Sequence, residues 1–528
     1  MPRVSPWLAS IALLTLVPLL VVLSSFLQPQ PEVWEHLARY VLPGVLANTA
    51  LLIGGVGAGV LLLGASLAWL TAACDFPGRR FFSWALVLPL AMPAYVLAFV
   101  LVGLFDYSGP LQSALRLLTG DSAWFPPVRS RAGALIALTL AFYPYVYLLA
   151  REAFLSQGRR ALEAAQTLGL TRTQALWRVA FPMARAWLAG RVTLALMESL
   201  ADFGAVSVFN FDTFTTAIYK AWFSLFSLPA AAQLASLLVL FVLLLAWGEA
   251  KSRGARHFHG KGGQGARIVL YGGRRWLATG ICLTVLLIAF VLPVLQLVYW
   301  AVQVWGEELD ARYAGFLLRS LALSATVALV VALLAVVLAH LVRRNPVPLN
   351  RWLVRLSTLS YAVPGTVLAV GIFIPVAWID QYLVALWQRF GGAAGQILSG
   401  SLFVILLALC TRFLAVGHQP VDAAMQRITR SQEDAARSLG VSGRALLWRL
   451  QLPMLRGGML TALLLVFVET MKELPITLMT RPFGWETLAV RVFEMTSEGM
   501  WEHAALPSLG IVLAGLLPVA MLVRQTEK

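Results

Sequence analysis

Four carboxylates stand inside stretches of the chain that are otherwise apolar: Glu198 with Asp202, and Glu469 with Glu473. Within each pair the spacing is i, i+4, which on a helix sets both acids on one face. Charge at such positions is expensive and ordinarily faces a water-filled path. Convergent carboxylates would suit a hard cation, which prefers oxygen ligands. The alternative is structural. Lys472 lies three residues from Glu469 and beside Glu473, close enough to neutralise one of them, and Glu198 could hydrogen-bond a neighbouring helix. Other chemistry is hard to find. The nearest approach to a phosphate loop, Gly254 through Gly260-Lys261-Gly262, has the wrong spacing and no hydroxyl. His257 and His259 are too few for a metal site. Cys74, Cys282 and Cys410 lie far apart in or beside apolar stretches and read as small buried hydrophobes.

The elements that must position these acids follow from composition. Of 528 residues, 59% are hydrophobic and 12% charged, about half the charged share of a soluble protein. Such a chain cannot cover its outside with polar groups, so it belongs in a membrane. A helix needs about 20 apolar residues to cross the hydrocarbon core. Runs of that order are 4–31, 40–74, 81–105, 132–150 and 221–248, then 276–306, 320–342, 356–379, 390–411 and a last stretch ending at 523. The acid-bearing segments near 188–209 and 457–479 make twelve. The first run follows Arg3 as a signal peptide would, but it is longer than a usual signal core and lacks a small-residue cleavage site before Gln28. It is expected to remain as a span.

An even number of spans puts both termini on one side. Segments on that side hold 30 of the 41 lysines and arginines, the opposite loops hold 10, and Lys472 lies in a span. This bias predicts cytoplasmic termini. It also accounts for the net charge of +16 through anionic lipid rather than nucleic acid. Residues 251–275 carry seven basic residues and seven glycines, which predicts a flexible cytoplasmic linker.

The chain repeats itself at one constant offset, that from Glu163 to Asp434. Glu163-Ala-Ala-Gln-Thr-Leu-Gly169 returns as Asp434-Ala-Ala-Arg-Ser-Leu-Gly440, and Phe181-Pro182-Met183 as Leu452-Pro453-Met454. Pro77 and Pro93 match Pro348 and Pro364, and Glu198 and Asp202 match Glu469 and Glu473. Six spans return the chain to its starting side, so the halves share a topology and are expected to be related by a pseudo-twofold along the membrane normal. In the repeated loop, helix formers run to Gly169, which supplies a left-handed stop. Thr171 then caps a second helix with Gln174 as its capping-box partner, and that helix should end before Pro182. Gly440, Ser442 and Pro453 stand at equivalent points. Helix–turn–helix spacing also occurs in DNA readers, but a loop pinned between spans twice per chain argues against DNA, and its strict repetition argues against an idle hairpin.

The pattern E-A-A-x₃-G-x₉-hydrophobic-x-hydrophobic-P resembles the signature loop of bacterial ABC importer permeases. Glu163, Ala164, Ala165, Gly169 and Pro182 fit it, as do Ala435, Ala436, Gly440 and Pro453, with Asp434 in place of glutamate and Glu433 before it. In such permeases the loop holds a coupling helix that docks on the ATPase subunit. The resemblance therefore implies two copies of an ABC ATPase as partners, with ATP and magnesium bound there and no cofactor on this chain. Segments 88–100, 200–204, 212–223, 471–475, 481–494 and 505–518 further resemble the fused, two-halved permease of ferric-iron importers. Thiamine permeases share that layout, and polyamine and sulfate permeases share the loop.

The resulting expectation is an all-α polytopic membrane protein of about twelve transmembrane helices in two six-helix repeats. Residues 1–250 form one permease half with its coupling loop near 159–185, 251–275 the linker, and 276–528 the second half with its loop near 430–456. By resemblance the chain is a non-enzymatic transport subunit of the bacterial inner membrane. It would receive ferric iron from a periplasmic or surface binding protein, with transient Fe³⁺ contact at Glu198, Asp202, Glu469 and Glu473. A twelve-span ion-coupled secondary transporter would also use membrane carboxylates but leaves the paired loops without purpose. A membrane enzyme would need a nucleophile or metal cluster at one face, and none is legible.

Overall fold

The structure, a computed structural model, describes residues 5–27, 30–121, 125–156, 167–169, 171, 174, 192–252, 267–391 and 395–526. Among these residues ten helices are long and apolar enough to cross a membrane, and two shorter apolar helices, Val192–Ala201 and Ala505–Met521, accompany them. The all-α polytopic expectation therefore holds.

Proline decides how several of these helices run. In each of three long helices a five-residue π turn precedes a Leu-Pro pair: Leu37–Val41 before Pro43, Leu287–Val291 before Pro293, and Leu447–Gln451 before Pro453. Leu42, Leu292 and Leu452 each donate their N–H to the residue five back, Leu37, Leu287 and Leu447. Proline lacks an N–H and its ring crowds the carbonyl four residues back. A local i→i+5 turn absorbs both defects without ending the helix. This corrects one expectation. The helix before Pro453 does not stop there; it runs on from Arg444 to Lys472.

Elsewhere proline does break the rod. The expected span at 81–105 consists of Arg79–Ala85, a 3₁₀ turn Leu88–Ala91 and Ala94–Phe105, with extended Pro93 between the last two. Its counterpart in the repeat is Pro348–Thr358, a 3₁₀ turn Leu359–Ala362 and Gly365–Arg389, with extended Pro364 between.

The chain forms two compact units whose segments are not consecutive. One comprises Met1–Glu35, Ala217–Val239 and Leu309–Phe493. At its centre the helices Ala311–Arg344, Leu402–Arg427 and Leu452–Lys472 bury Ala335, Val336, Ala339, Val421, Met425, Leu455 and Ala462 against one another. Small residues allow that approach: a Cβ at Gly458 would lie 2.6 Å from the Pro420 carbonyl oxygen. The N-terminal helix Pro6–Ser24 packs on Pro348–Thr358 and Gly365–Arg389. It is tied there by Ser360 Oγ donating to the Thr15 carbonyl at 3.1 Å and by the Ser5 N–H donating to Asn350 Oδ1 at 3.3 Å.

The other unit comprises His36–Thr216, Leu240–Glu308 and Glu494–Lys528. The helices Leu42–Ala73 and Arg131–Ser156 form its most extensive contact. Tyr143 and Tyr147 are fully buried there and donate to the carbonyls of Leu86 and Ser83 at 2.9 and 3.0 Å. In this way buried phenols satisfy the carbonyls freed by the broken helix. The same unit contains a short element that composition did not announce. Ile268–Val269 pairs in parallel with Cys74–Asp75. The helix before the linker continues to Ser252 and the next begins at Gly273. The segment expected to be flexible over 251–275 is thus ordered at both ends, with 253–266 outside the described residues.

Candidate functional site

The repeated loop is described most fully in its second copy. Thr429 caps the helix Arg430–Ser438. Its Oγ1 accepts from the Gln432 N–H at 3.3 Å, and its own N–H donates to Gln432 Oε1 at 2.9 Å, which closes a capping box. The helix ends where Gly440 takes φ +79°. The N–H groups of Gly440 and Val441 then donate to the carbonyls of Arg437 and Ala436, both at 2.9 Å. This is the left-handed stop read from the sequence.

Of the first copy, Gly169 is left-handed at φ +86°. Thr171 and Gln174 exchange the two hydrogen bonds of the expected capping box, at 3.2 and 3.3 Å. Glu163, Ala164, Ala165 and Pro182 lie outside the described residues. The leucines just before the two glycines, Leu168 and Leu439, are 83% and 84% exposed. Each loop therefore offers an apolar knob at its tip.

The two acids of the second loop have separate surroundings. Asp434 is exposed and pairs with Arg437 at 2.9 Å. Glu433 is buried. Its Oε1 accepts from Arg343 Nε and from Gln451 Nε2, each at 3.1 Å, and Gln451 Oε1 lies 2.7 Å from His340 Nδ1. Arg343 also donates from Nη2 to the Ile428 carbonyl at 2.6 Å. This network ties Arg430–Ser438 to the ends of two long helices. Sequence reasoning assigned no role to Glu433, Arg343, Gln451 or His340. The signal was available in the repeat: at the equivalent first-half positions stand Leu162, Ala72, Ala180 and Trp69, none of which carries a charge.

The membrane carboxylates do not sit as two pairs on helix faces. The helices end first, at Ala201 and at Lys472, leaving Asp202 and Glu473 at breaks that precede the short helices Gly204–Val208 and Pro475–Thr480. Asp202 Oδ1 accepts from the N–H groups of Ala205 and Val206 at 2.9 and 3.1 Å, and the Asp202 carbonyl accepts from Thr215 Oγ1 at 2.7 Å. Glu473 Oε1 accepts from the Ile476 N–H at 2.8 Å. Its Oε2 accepts from the Thr477 N–H and hydroxyl, both at 3.0 Å. Both acids thus satisfy the orphan donors of a helix that restarts inside the apolar layer.

Around Glu473 the packing is tight. A Cβ added at Gly365 would meet Arg412 Nη1, Pro475 Cγ and Glu473 Oε1 at 2.9 to 3.0 Å. Glu469 is half-exposed and lies 3.8 Å from Lys472 Nζ, the i, i+3 pairing raised from sequence. Glu198 is half-buried on Val192–Ala201. Among the described residues no three His, Cys, Asp or Glu side chains gather as a metal site.

One membrane acid was missed because it falls just past an apolar run. Asp380 is buried near the middle of Gly365–Arg389. It accepts from the N–H groups of Ile397, Leu398 and Ser399 and from the Ser399 hydroxyl, at 2.7 to 3.1 Å. Four donors on one carboxylate hold a loop, and they leave it few lone pairs for anything else.

Comparison with known proteins bears on the same residues. Residues 60–257 and 331–525 match the family described as binding-protein-dependent transport system inner membrane component, and the two starting points are equivalent positions of the internal repeat. The chain is similar to the Fe(3+)-transport system permease protein FbpB 2 of Haemophilus influenzae, with 28% identity over 541 residues covering all of both chains. It is 25% identical over 471 residues to the ferric transport system permease protein FbpB of Actinobacillus pleuropneumoniae, covering 83% of this chain and 65% of that one. A putative 2-aminoethylphosphonate transport system permease protein, PhnV of Salmonella typhimurium, is 30% identical over 212 residues, 40% of this chain and 74% of its own length. With helices of membrane length, a repeated loop and two matched stretches covering most of its residues, the chain belongs to the family of binding-protein-dependent transport system inner membrane components, carrying its domain twice.

Proposed function

We propose that this chain is the permease subunit of an ABC importer that moves ferric iron across the bacterial inner membrane by alternating access. The observation that carries the substrate is the end-to-end alignment with a protein named as an Fe(3+)-transport permease. Both termini and both capped loops would face the cytoplasm, as the basic residues favour. Residues 1–250 and 276–528 would be the two halves, with a cytoplasmic connection between them.

Each loop would dock on one of two ATPase subunits, which bind ATP and magnesium. Glu163, Ala164, Ala165, Gly169 and Pro182 would shape the first coupling helix, and Asp434, Ala435, Ala436, Gly440 and Pro453 the second. The exposed tips at Leu168 and Leu439 support this reading, because an apolar knob on a turn suits a hydrophobic groove. In the second loop the Glu433–Arg343 pair offers a mechanical route: force on Arg430–Ser438 reaches the end of Ala311–Arg344 through a charged hydrogen bond.

Glu198 and Glu469, the second of which keeps more exposure than Glu473, would meet the iron delivered by a periplasmic or surface binding protein. Asp202 and Glu473 would lend charge from the helix breaks that they cap. The test is reconstitution of the full complex in vesicles, with radiolabelled ferric iron or thiamine supplied through binding proteins. ATP-dependent iron accumulation without thiamine uptake is expected. Thiamine uptake without iron uptake would assign another substrate, and failure of any ATPase to co-purify would remove the importer reading.

A further inference from the structure

We propose that a basic cavity beside the second coupling loop holds the phosphate headgroup of an anionic phospholipid. The cavity has a volume of ≈ 840 Å³, within the range of ligand sites. Six arginines line it: Arg343, Arg344, Arg351, Arg355, Arg430 and Arg437. Two are already engaged, Arg343 by Glu433 and Arg437 by Asp434. Among the described residues Arg344, Arg351, Arg355 and Arg430 have no ion-pair partner within 4.0 Å. The remaining carboxylate of the lining, Asp422, accepts from Gln426 Nε2 at 2.7 Å. Four guanidinium groups converging from three elements on one cavity are suited to a phosphate, which they bind in a planar, bidentate manner.

The helix that contributes Arg351 and Arg355 indicates which phosphate. Pro348–Thr358 turns Leu349 and Trp352 outward, 50% and 58% exposed, while its arginines line the cavity. Arg355 also lies over the Trp352 ring at 5.5 Å. An apolar, tryptophan-bearing flank with cations beside it matches a helix lying in the membrane interface. A lipid could place its acyl chains along that flank and its headgroup in the cavity. Arg351 and Arg430 have arginine counterparts in the first half, Arg80 and Arg159, but the other four lining arginines do not. At the equivalent positions of the first half, Arg343, Arg344, Arg355 and Arg437 are replaced by Ala72, Ala73, Trp84 and Gln166. Since Arg430 and Arg437 stand on the proposed coupling helix, a bound lipid would brace that helix.

The test uses the purified full chain in detergent, titrated with phosphatidylglycerol, phosphatidylcholine or inorganic phosphate and read by native mass spectrometry. Only the bracing of a coupling helix rests on the function proposed above. A micelle has no sides, so the binding result stands apart from that reading. Phosphatidylglycerol is expected to remain bound where phosphatidylcholine does not. The double variant Arg344→Gln/Arg351→Gln should weaken it about tenfold, equivalent to about 1.4 kcal/mol, and Arg430→Gln should weaken it from a separate element. Arg80→Gln, the first-half counterpart of Arg351, should leave it unchanged. Equal binding of both lipids, or full binding by both the double variant and Arg430→Gln, would overturn the site. Displacement of phosphatidylglycerol by millimolar inorganic phosphate would overturn the lipid and assign the cavity to a soluble phosphate compound.

Discussion

Arg343, at the end of a long membrane helix, donates from Nε to Glu433 at 3.1 Å and from Nη2 to the Ile428 carbonyl at 2.6 Å. One side chain thereby fixes both the start of the second loop helix and its inward face. A hydrogen bond to a charged group contributes about 1.5–3 kcal/mol, so Glu433→Leu, which removes the acceptor, should lower the thermal stability of the purified chain by about that amount. Replacing both partners with apolar residues, Arg343→Met with Glu433→Leu, should recover most of the loss, because no buried charge is then left unpaired. Strictly additive losses in the double variant would show that the two residues act separately.

The caps at the helix breaks should be sensitive to which oxygen atoms accept. Glu473→Gln replaces one acceptor oxygen by a donor, so it loses the bond from the Thr477 N–H or the bond from the Ile476 N–H, at a cost of about 1–3 kcal/mol. Glu469→Gln removes only a half-exposed contact with Lys472 and should cost less than about 1 kcal/mol. Comparing the two melting temperatures separates a capping acid from its neighbour four residues earlier. Equal losses would refute the assignment of Glu473 as a cap.

Gly365 leaves no room beside that cap. Gly365→Ala should destabilise the chain although alanine favours helices, because its methyl would lie 3.0 Å or less from Arg412, Pro475 and Glu473. A loss of about 1–3 kcal/mol is expected for overpacking, read by chemical or thermal unfolding. An unchanged or raised stability would mean that these neighbours relax freely.

Gly169 and Gly440 have open space around a hypothetical Cβ, so their requirement is conformational. Left-handed backbone costs a β-branched residue about 1–2 kcal/mol. Gly169→Val and Gly440→Val should leave membrane insertion intact while weakening ATPase assembly, measured by co-purification. Wild-type assembly and uptake in both variants would remove the loops from the coupling role.

Topology is open to direct labelling. Cysteines introduced at Gly262 and Ser497 should react with an impermeant thiol reagent from opposite sides of the membrane. Labelling of both from the same side would overturn the twelve-span orientation.

Much of this protein was legible without coordinates because it rests on local rules. Apolar runs of membrane length, the left-handed glycines and the Thr171–Gln174 capping box all depend on neighbours a few residues away. The i, i+4 acids misled for a related reason: spacing assigns a face only if the helix continues, and the breaks after Ala201 and Lys472 are not visible in hydropathy. Proline was equally ambiguous, since it breaks the chain at Pro93 and Pro364 yet is absorbed by a π turn before Pro453. Tertiary structure alone decided that Glu433, rather than Asp434, is the buried acid of its loop, because its partner Arg343 is 90 residues away. It also decided that the first helix packs against Pro348–Thr358 and Gly365–Arg389. Apolar helix surfaces are chemically alike along the whole chain, so only shape complementarity and a few long-range hydrogen bonds, such as Ser360 to Thr15, select which of them meet.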